Sequence, residues 1–291
     1  MKLTIEEFGA QLLRTGDLDP VYIAIDGVPM KEDQRHRLCV AYWCFYHLGA
    51  AAYIAEKGKT PGDFKLLMTQ AAANIERPKI RPEGERWPRA AERRHFRGDQ
   101  AVRAVGELVY KYKTATDMVR GLVGARGSGM TYASVTRAAE SHRGFGQWIG
   151  WKIADMSERV LGYDVDFSDA DLGIYKDPRQ GAALVHYQGE LSAGRVAGVY
   201  SETPWKYPIQ HDELRDTVAH YVKDFRRHTA PPRNDRPVNV QEIETIFCKY
   251  KSHYKGHYEV GKDIREVGHG LQGWGALAQE LSRALEAGTR L

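Results

Sequence analysis

The stretch from Glu32 to Lys57 sets the fold class. At its heart it reads RLCVAYWCFYHLGAAAYIAE, apolar on nearly every side of a helical wheel. A helix with one apolar stripe lies on a surface, but one that is apolar all round has to be enclosed by other elements. One long helix over 32–57 is therefore expected at the centre, with its aromatics (Tyr42, Trp43, Phe45, Tyr46) in the core.

The rest of the chain supplies helices to surround it. Thr4 and Glu7 form a capping-box pattern, with Leu3 and Phe8 as the hydrophobic staple, so a helix should run to about Arg14 and stop at Gly16. Thr60-Pro61 starts another, reaching Asn74. Asp99 to Tyr112 is amphipathic through Val102, Val105, Leu108, Val109 and Tyr112. Helices over 115–123, 131–141, 211–228, 239–250 and 271–291 follow from the same periodicity. Residues 20–30 read as a possible strand or turn with a bend at Asp26-Gly27, and 172–208 as loops and short turns. The expected class is mainly α. The run from Ala230 to Pro237 is the best linker candidate. It divides a catalytic region, 1–229, from a helical C-terminal segment, 238–291.

At 291 residues with 42% hydrophobic residues, the chain can bury a core in one large domain or two. It has no run of eighteen apolar residues and no signal-like start, so no membrane partner is expected. Three scattered cysteines make no disulfide framework, which suits a reducing cytoplasm. The net charge of +4 is mild, so a nucleic-acid partner has to be argued from local clustering.

Two stretches carry that argument. The first runs from Arg143 to Asp171, RGFGQWIGWKIADMSERVLGYDVDFSDAD. Gly144 and Gly146 leave a turn without side chains in front of a helix buried through Ile149, Ile153, Met156 and Val160, with Gly162 at the expected C-cap. Free N–H groups at such a helix start bind anions. Past the helix, Val165-Asp166-Phe167 is a short apolar segment with a carboxylate in its middle. The second stretch, Glu76 to Gly98, has eight Arg or Lys against four Glu and ends in Arg93-Arg94-His95-Phe96-Arg97. It reads as a solvated charged loop or as a phosphate clamp, since arginine suits bidentate phosphate contacts. A third patch, Cys248 to Tyr258 (CKYKSHYKGHY), mixes cations with aromatics and can touch DNA or cover the core.

The spacing of the glycine turn and Asp166 resembles the helix-hairpin-helix DNA glycosylases. Counting twenty-two residues from Gly144 reaches Asp166, where that family has its catalytic aspartate. Trp148 stands where lyase-active members carry lysine, so Schiff-base chemistry and strand nicking are not expected. Four segments in order are RLCVAYWCFYHLG, ERRHFRG, GFGQWIGWKIADMSERVLG with VDF behind it, and IETIFCKYKSHYKGHYEVGKD. Together, from about Leu38 to Asp263, they resemble the α-glutamyl/putrescinyl thymine pyrophosphorylase group, the bacteriophage amino acid:DNA transferases.

The resemblance implies a glycosylase-like helical fold and a reaction on double-stranded DNA that carries pyrophosphorylated 5-hydroxymethyl-uracil. An amine, with glycine as the first choice among amino acids, would displace pyrophosphate. Asp166 would be the catalytic carboxylate. Arg93, Arg94, His95, Arg97, Gly144 and Gly146 would bind pyrophosphate or DNA phosphate. Asp169 and Asp171 would stand behind Asp166 or near a metal. No cofactor is certain; Mg²⁺ could assist the pyrophosphate, but these two aspartates alone make no recognisable site. A monofunctional glycosylase of the helix-hairpin-helix type needs the same turn and aspartate and is the alternative. A non-catalytic DNA-binding protein would have no need of Asp166.

Overall fold

The computed structural model describes residues 3–74, 87–88, 96–127, 129–187 and 209–290. The chain is mainly helical, as expected. It folds as two compact units, one of Met1–Pro20, Ala170–Ile264 and Thr289–Leu291, the other of Val21–Asp169 and Arg265–Gly288. No helix among the described residues is long and apolar enough to cross a membrane.

The larger unit is built round the apolar stretch 32–57. Every residue from His36 to Phe45 is buried. The expected single helix is nevertheless two, α3 (Glu32–Phe45) and α4 (Leu48–Lys57). Tyr46 breaks it by taking a left-handed conformation at φ 52°, with its N–H on the Tyr42 carbonyl at 2.6 Å. The next residue restarts it, because His47 Nδ1 accepts the Ala50 N–H at 3.1 Å and caps α4. The redirected α4 brings Gly49 against the Trp274 ring and the Gly270 carbonyl, where a Cβ would collide.

Residues 20–26 form a helix, α2 (Pro20–Asp26), where a strand or turn was expected. Pro20 stands at the first helical position, where its missing N–H costs nothing. Burial overrides the β-propensity of the run, since Val21, Tyr22, Ile23, Ala24 and Ile25 are all core residues. The Tyr22 hydroxyl donates to the Asp155 carboxylate at 2.7 Å. Arg159 pairs with that carboxylate at 3.4 Å and lies over the Tyr22 ring.

Around this core lie α5 (Pro61–Ala73), capped by Thr60, and α6 (Gly98–Lys111), whose buried face is Ala101, Ala104, Val105 and Leu108. Then come α7 (Ala115–Val123), α8 (Tyr132–Glu140) and α9 (Gln147–Arg159). Two-residue strands β1 (Met130–Thr131) and β2 (Val165–Asp166) pair in parallel, with Thr131 opposite Asp166. The last two helices are α13 (Lys262–Leu271) and α14 (Ala276–Gly288). The Leu277 N–H ties α14 to α4 through Glu56 Oε2 at 2.9 Å.

The smaller unit holds α1 (Ile5–Thr15), α10 (Lys176–His186), α11 (His211–Phe225) and α12 (Val240–Tyr254). The Thr4–Glu7 capping box forms as expected. Helix α10 falls where loops were expected. Pro178 is its third residue, within the first turn that tolerates proline. Gly181 lets α10 approach the Phe247 carbonyl of α12, where a Cβ would not fit. The Cys248–Tyr258 patch covers the core. Tyr250 and Tyr258 are buried, and His253 stacks on Phe8 with centroids 4.6 Å apart. The Tyr258 hydroxyl donates to Asp17, a fully buried carboxylate that also accepts the N–H groups of Gly261 and Ile264.

Candidate nucleic-acid and catalytic site

The turn between α8 and α9 is fixed from three sides. His142, buried at its start, points Nδ1 at the Ala138 carbonyl at 2.9 Å. A carbonyl only accepts, so Nδ1 carries the proton and Nε2 of the neutral ring accepts the Tyr112 hydroxyl at 2.8 Å. Lys111 Nζ stands 3.3 Å from the same nitrogen. Burial lowers the His142 pKa and Lys111 lowers it further, against the bond to Ala138 that raises it. Arg143 pairs with Glu107 of α6 at 2.7 Å, an exposed bridge of small energetic weight.

The third side is the glycine itself. Gly144 has φ 79°, a region that glycine enters at no steric cost. A Cβ there would stand 2.6 Å from the Phe96 ring and 3.1 Å from Ala104. Phe96 is buried and ends the basic stretch. Its neighbour Arg97 is exposed at the N-cap of α6 and makes no side-chain cap. The turn thus sits against the end of the arginine cluster, though the residues in contact are far apart in sequence. Arg93, Arg94 and His95 lie outside the described residues.

Gly146 is the N-cap of α9 and offers no side chain to its N–H groups. A Cβ added there would meet nothing within 4 Å among the described residues. With no side-chain cap at Gly146, the helix dipole makes this end favourable for an anion.

Asp166 lies in β2 between two buried side chains, Val165 and Phe167, and alternation turns its carboxylate outward. Phe167 packs edge-on against Trp151 of α9, with centroids 5.6 Å apart. This contact holds the aspartate beside α9. The Asp166 carboxylate accepts the Ser168 N–H at 2.8 Å and the Ser168 hydroxyl at 2.8 Å. These bonds, the backbone one first, hold its pKa below the ordinary value, against a small opposing effect of desolvation. The group is exposed and anionic at neutral pH.

Asp169 and Asp171 are engaged with backbone. The Asp169 carboxylate receives the Ala133 N–H at 3.2 Å in the first turn of α8. Asp171 Oδ1 caps a short 3-10 turn through the Gly173 N–H at 2.7 Å, and Oδ2 lies 3.5 Å from His211. Among the described residues, no group of three or more His, Cys, Asp or Glu side chains is placed to hold a metal ion.

Sequence reasoning missed the left-handed Tyr46 and the ring contacts it makes. Tyr42 stacks on Tyr46 at 4.6 Å, and Tyr46 meets Trp148 at 4.9 Å and 65°. No local sequence signal marks the break at Tyr46, which depends on the His47 cap and the packing of Gly49.

Comparison with known proteins places these features in context. A family model described as amino acid:DNA transferase matches residues 14–258. The chain is 40% identical over 288 residues to a glycinyltransferase of Pseudomonas phage PaMx11, covering 98% of this chain and 96% of that protein. It is 29% identical over 270 residues to a putrescinyltransferase of Delftia phage PhiW-14, covering 92% and 78% respectively.

Proposed function

The chain belongs to the amino acid:DNA transferase family, and within it we propose that this enzyme attaches glycine to a modified thymine in phage DNA. The observation that carries the choice of amine is the similarity to the phage glycinyltransferase, which extends over nearly the whole of both chains. The proposed substrate is double-stranded DNA bearing 5-pyrophosphoryloxymethyl-uracil, acted on in the cytoplasm of the host cell.

The amine nitrogen forms a bond to the exocyclic methylene, the carbon–oxygen bond to pyrophosphate breaks, and a proton leaves the new ammonium. Positive character grows on the methylene as negative charge grows on the departing group. Groups aimed at charge that develops only in the transition state accelerate the step most. Asp166 is the candidate for the first charge. Its lowered pKa makes it a weak proton acceptor and a constant anion, which favours electrostatic stabilisation over general-base work. Arg97, with Arg93, Arg94 and His95, is the candidate for the departing pyrophosphate. The start of α9, where Gly146 gives no side-chain cap, supports a contact to DNA phosphate, with Gly144 shaping the turn in front of it.

The test is mass spectrometry of nucleosides after DNA containing the pyrophosphorylated base is incubated with enzyme and a mixture of amines. The expected product is the glycine adduct. A putrescine adduct in its place refutes the choice of amine, and unchanged DNA refutes the substrate.

A further inference from the structure

Three aromatic rings of the larger unit form a column that runs from core to surface. Tyr42 is buried at its inner end, and Tyr46 and Trp148 are half-buried further out. Tyr46 stacks on Tyr42 at 4.6 Å and an interplanar angle of 29°, and Trp148 stands against Tyr46 edge-to-face at 4.9 Å. Trp148 ends the column as the second residue of α9, two residues past Gly146. The column depends on a backbone conformation that aromatic residues rarely adopt, the left-handed φ of 52° at Tyr46. A conformation of this kind is strained for a side chain and persists where the surroundings enforce it, often at ligand clamps.

We propose that Trp148, backed by Tyr46, is the stacking platform for the target base once it has left the DNA helix. The proposal rests on the transferase reading above, because only an enzyme acting on a base within DNA needs to extrude it. The C5 substituent of a stacked thymine lies in the major groove, and drawing the base out into a pocket between aromatic faces sets that carbon against fixed protein groups away from water. The placement suits an extruded nucleotide. Its phosphate meets the start of α9, where Gly146 brings no side chain, and its ring lies on Trp148, one turn before Trp151. Trp151 carries Phe167, and Phe167 is the neighbour of Asp166. Phosphate, ring and reacting methylene are thus met by Gly146, Trp148 and Asp166, ordered along one helix and the strand packed on it. Aromatic stacking accepts any base face, which leaves the choice of thymine to other contacts.

The test uses the full-length enzyme with DNA containing pyrophosphorylated hydroxymethyl-uracil and with glycine. Wild type, Trp148→Phe, Trp148→Ala and Tyr46→Gly are compared for KM of DNA, KM of glycine, kcat and thermal stability. Tyr46→Gly removes a ring while suiting the left-handed backbone, so it tests the backing ring in a folded protein. Trp148→Ala should raise KM for DNA roughly ten- to hundredfold, the scale of one lost base–aromatic stack. KM for glycine should stay unchanged, and Trp148→Phe should recover most of the loss. Unchanged KM for DNA in a folded Trp148→Ala protein overturns the platform, as does a rise confined to KM for glycine. Absence of turnover in wild type strikes the transferase reading instead. Binding to the same DNA then decides the platform, which is upheld by a Trp148→Ala loss and overturned by equal affinities.

Discussion

The ring of Phe96 occupies the place where a side chain at residue 144 would sit, with its Cε2 atom 2.6 Å from the position of a Gly144 Cβ. This contact joins the end of the basic stretch to the turn before α9. It explains why a glycine is needed at 144 on two counts, backbone and space. Gly146 has no such neighbour among the described residues.

The two glycines should therefore respond in opposite ways. Gly144→Ala forces a Cβ onto Phe96 in a left-handed backbone and should destabilise the fold by about 1–3 kcal/mol. Gly146→Ser supplies a side chain that favours the N-cap in open space and should leave stability equal or slightly higher. Its hydroxyl would compete with phosphate for the N–H groups of α9, so DNA affinity should fall. Urea denaturation and a DNA titration on both variants check this. Equal DNA affinity in Gly146→Ser removes α9 from the DNA interface.

The Asp155–Arg159 pair is enclosed in the core with the Tyr22 hydroxyl on Asp155. Removing Asp155 takes a carboxylate partner from a buried guanidinium. Asp155→Ala should cost about 3–5 kcal/mol, measured as a lowered urea midpoint. A Tyr22→Phe variant loses only one hydrogen bond and should cost less.

The acid response of the fold should involve His142. Its folded pKa lies below the ordinary 6.5, because burial and Lys111 disfavour the imidazolium. The unfolded chain then binds the extra proton first. The stabilisation is fully present above about pH 6.5 and is lost as the pH falls through the folded value. His36 and His228 are depressed by burial in the same direction and add to the slope. His142→Phe should make the loss of stability between about pH 7.5 and pH 5 shallower. An unchanged slope assigns the effect to the other histidines and the carboxylates.

Ser168 should set the ionisation of Asp166. With both Ser168 bonds present, the carboxyl titrates below its ordinary value of 3.8. Ser168→Ala removes the hydroxyl bond and leaves the backbone one, the larger cause of the lowering, so the midpoint should rise part of the way back. NMR titration of a side-chain-labelled protein reads this directly. Any stability tied to this group is present above the unfolded pKa and lost as the pH falls through the folded one.

Much of this was legible from side-chain order alone. The apolar stretch 32–57 announced a helical core, and the turn glycines and Asp166 stood out by type and spacing. The break at Tyr46 was not legible, because tyrosine gives no local sign of a left-handed backbone and the break depends on the His47 cap and the packing of Gly49. Helix α10 was hidden by Pro178 and Gly181, residues that usually end helices. There the proline falls in a permissive first turn, and the glycine answers to a carbonyl of α12 that no local window contains. Helix α2 looked like a strand because its valine, tyrosine and isoleucines favour pleats, and tertiary burial decided otherwise. The Cys248–Tyr258 patch was ambiguous because only packing separates a tyrosine that covers a core from one that meets DNA.

We propose that Asp166 acts in a transfer that leaves the glycosidic bond whole. The most direct measurement gives the enzyme pyrophosphorylated hydroxymethyl-uracil DNA with and without glycine and reads both released pyrophosphate and alkali-labile sites. Glycine-dependent base modification, pyrophosphate release and no alkali-labile sites are predicted, with Asp166→Asn folding normally and turning over slower by about 10² or more. Free base with abasic DNA left behind, or full activity in Asp166→Asn, would contradict the account.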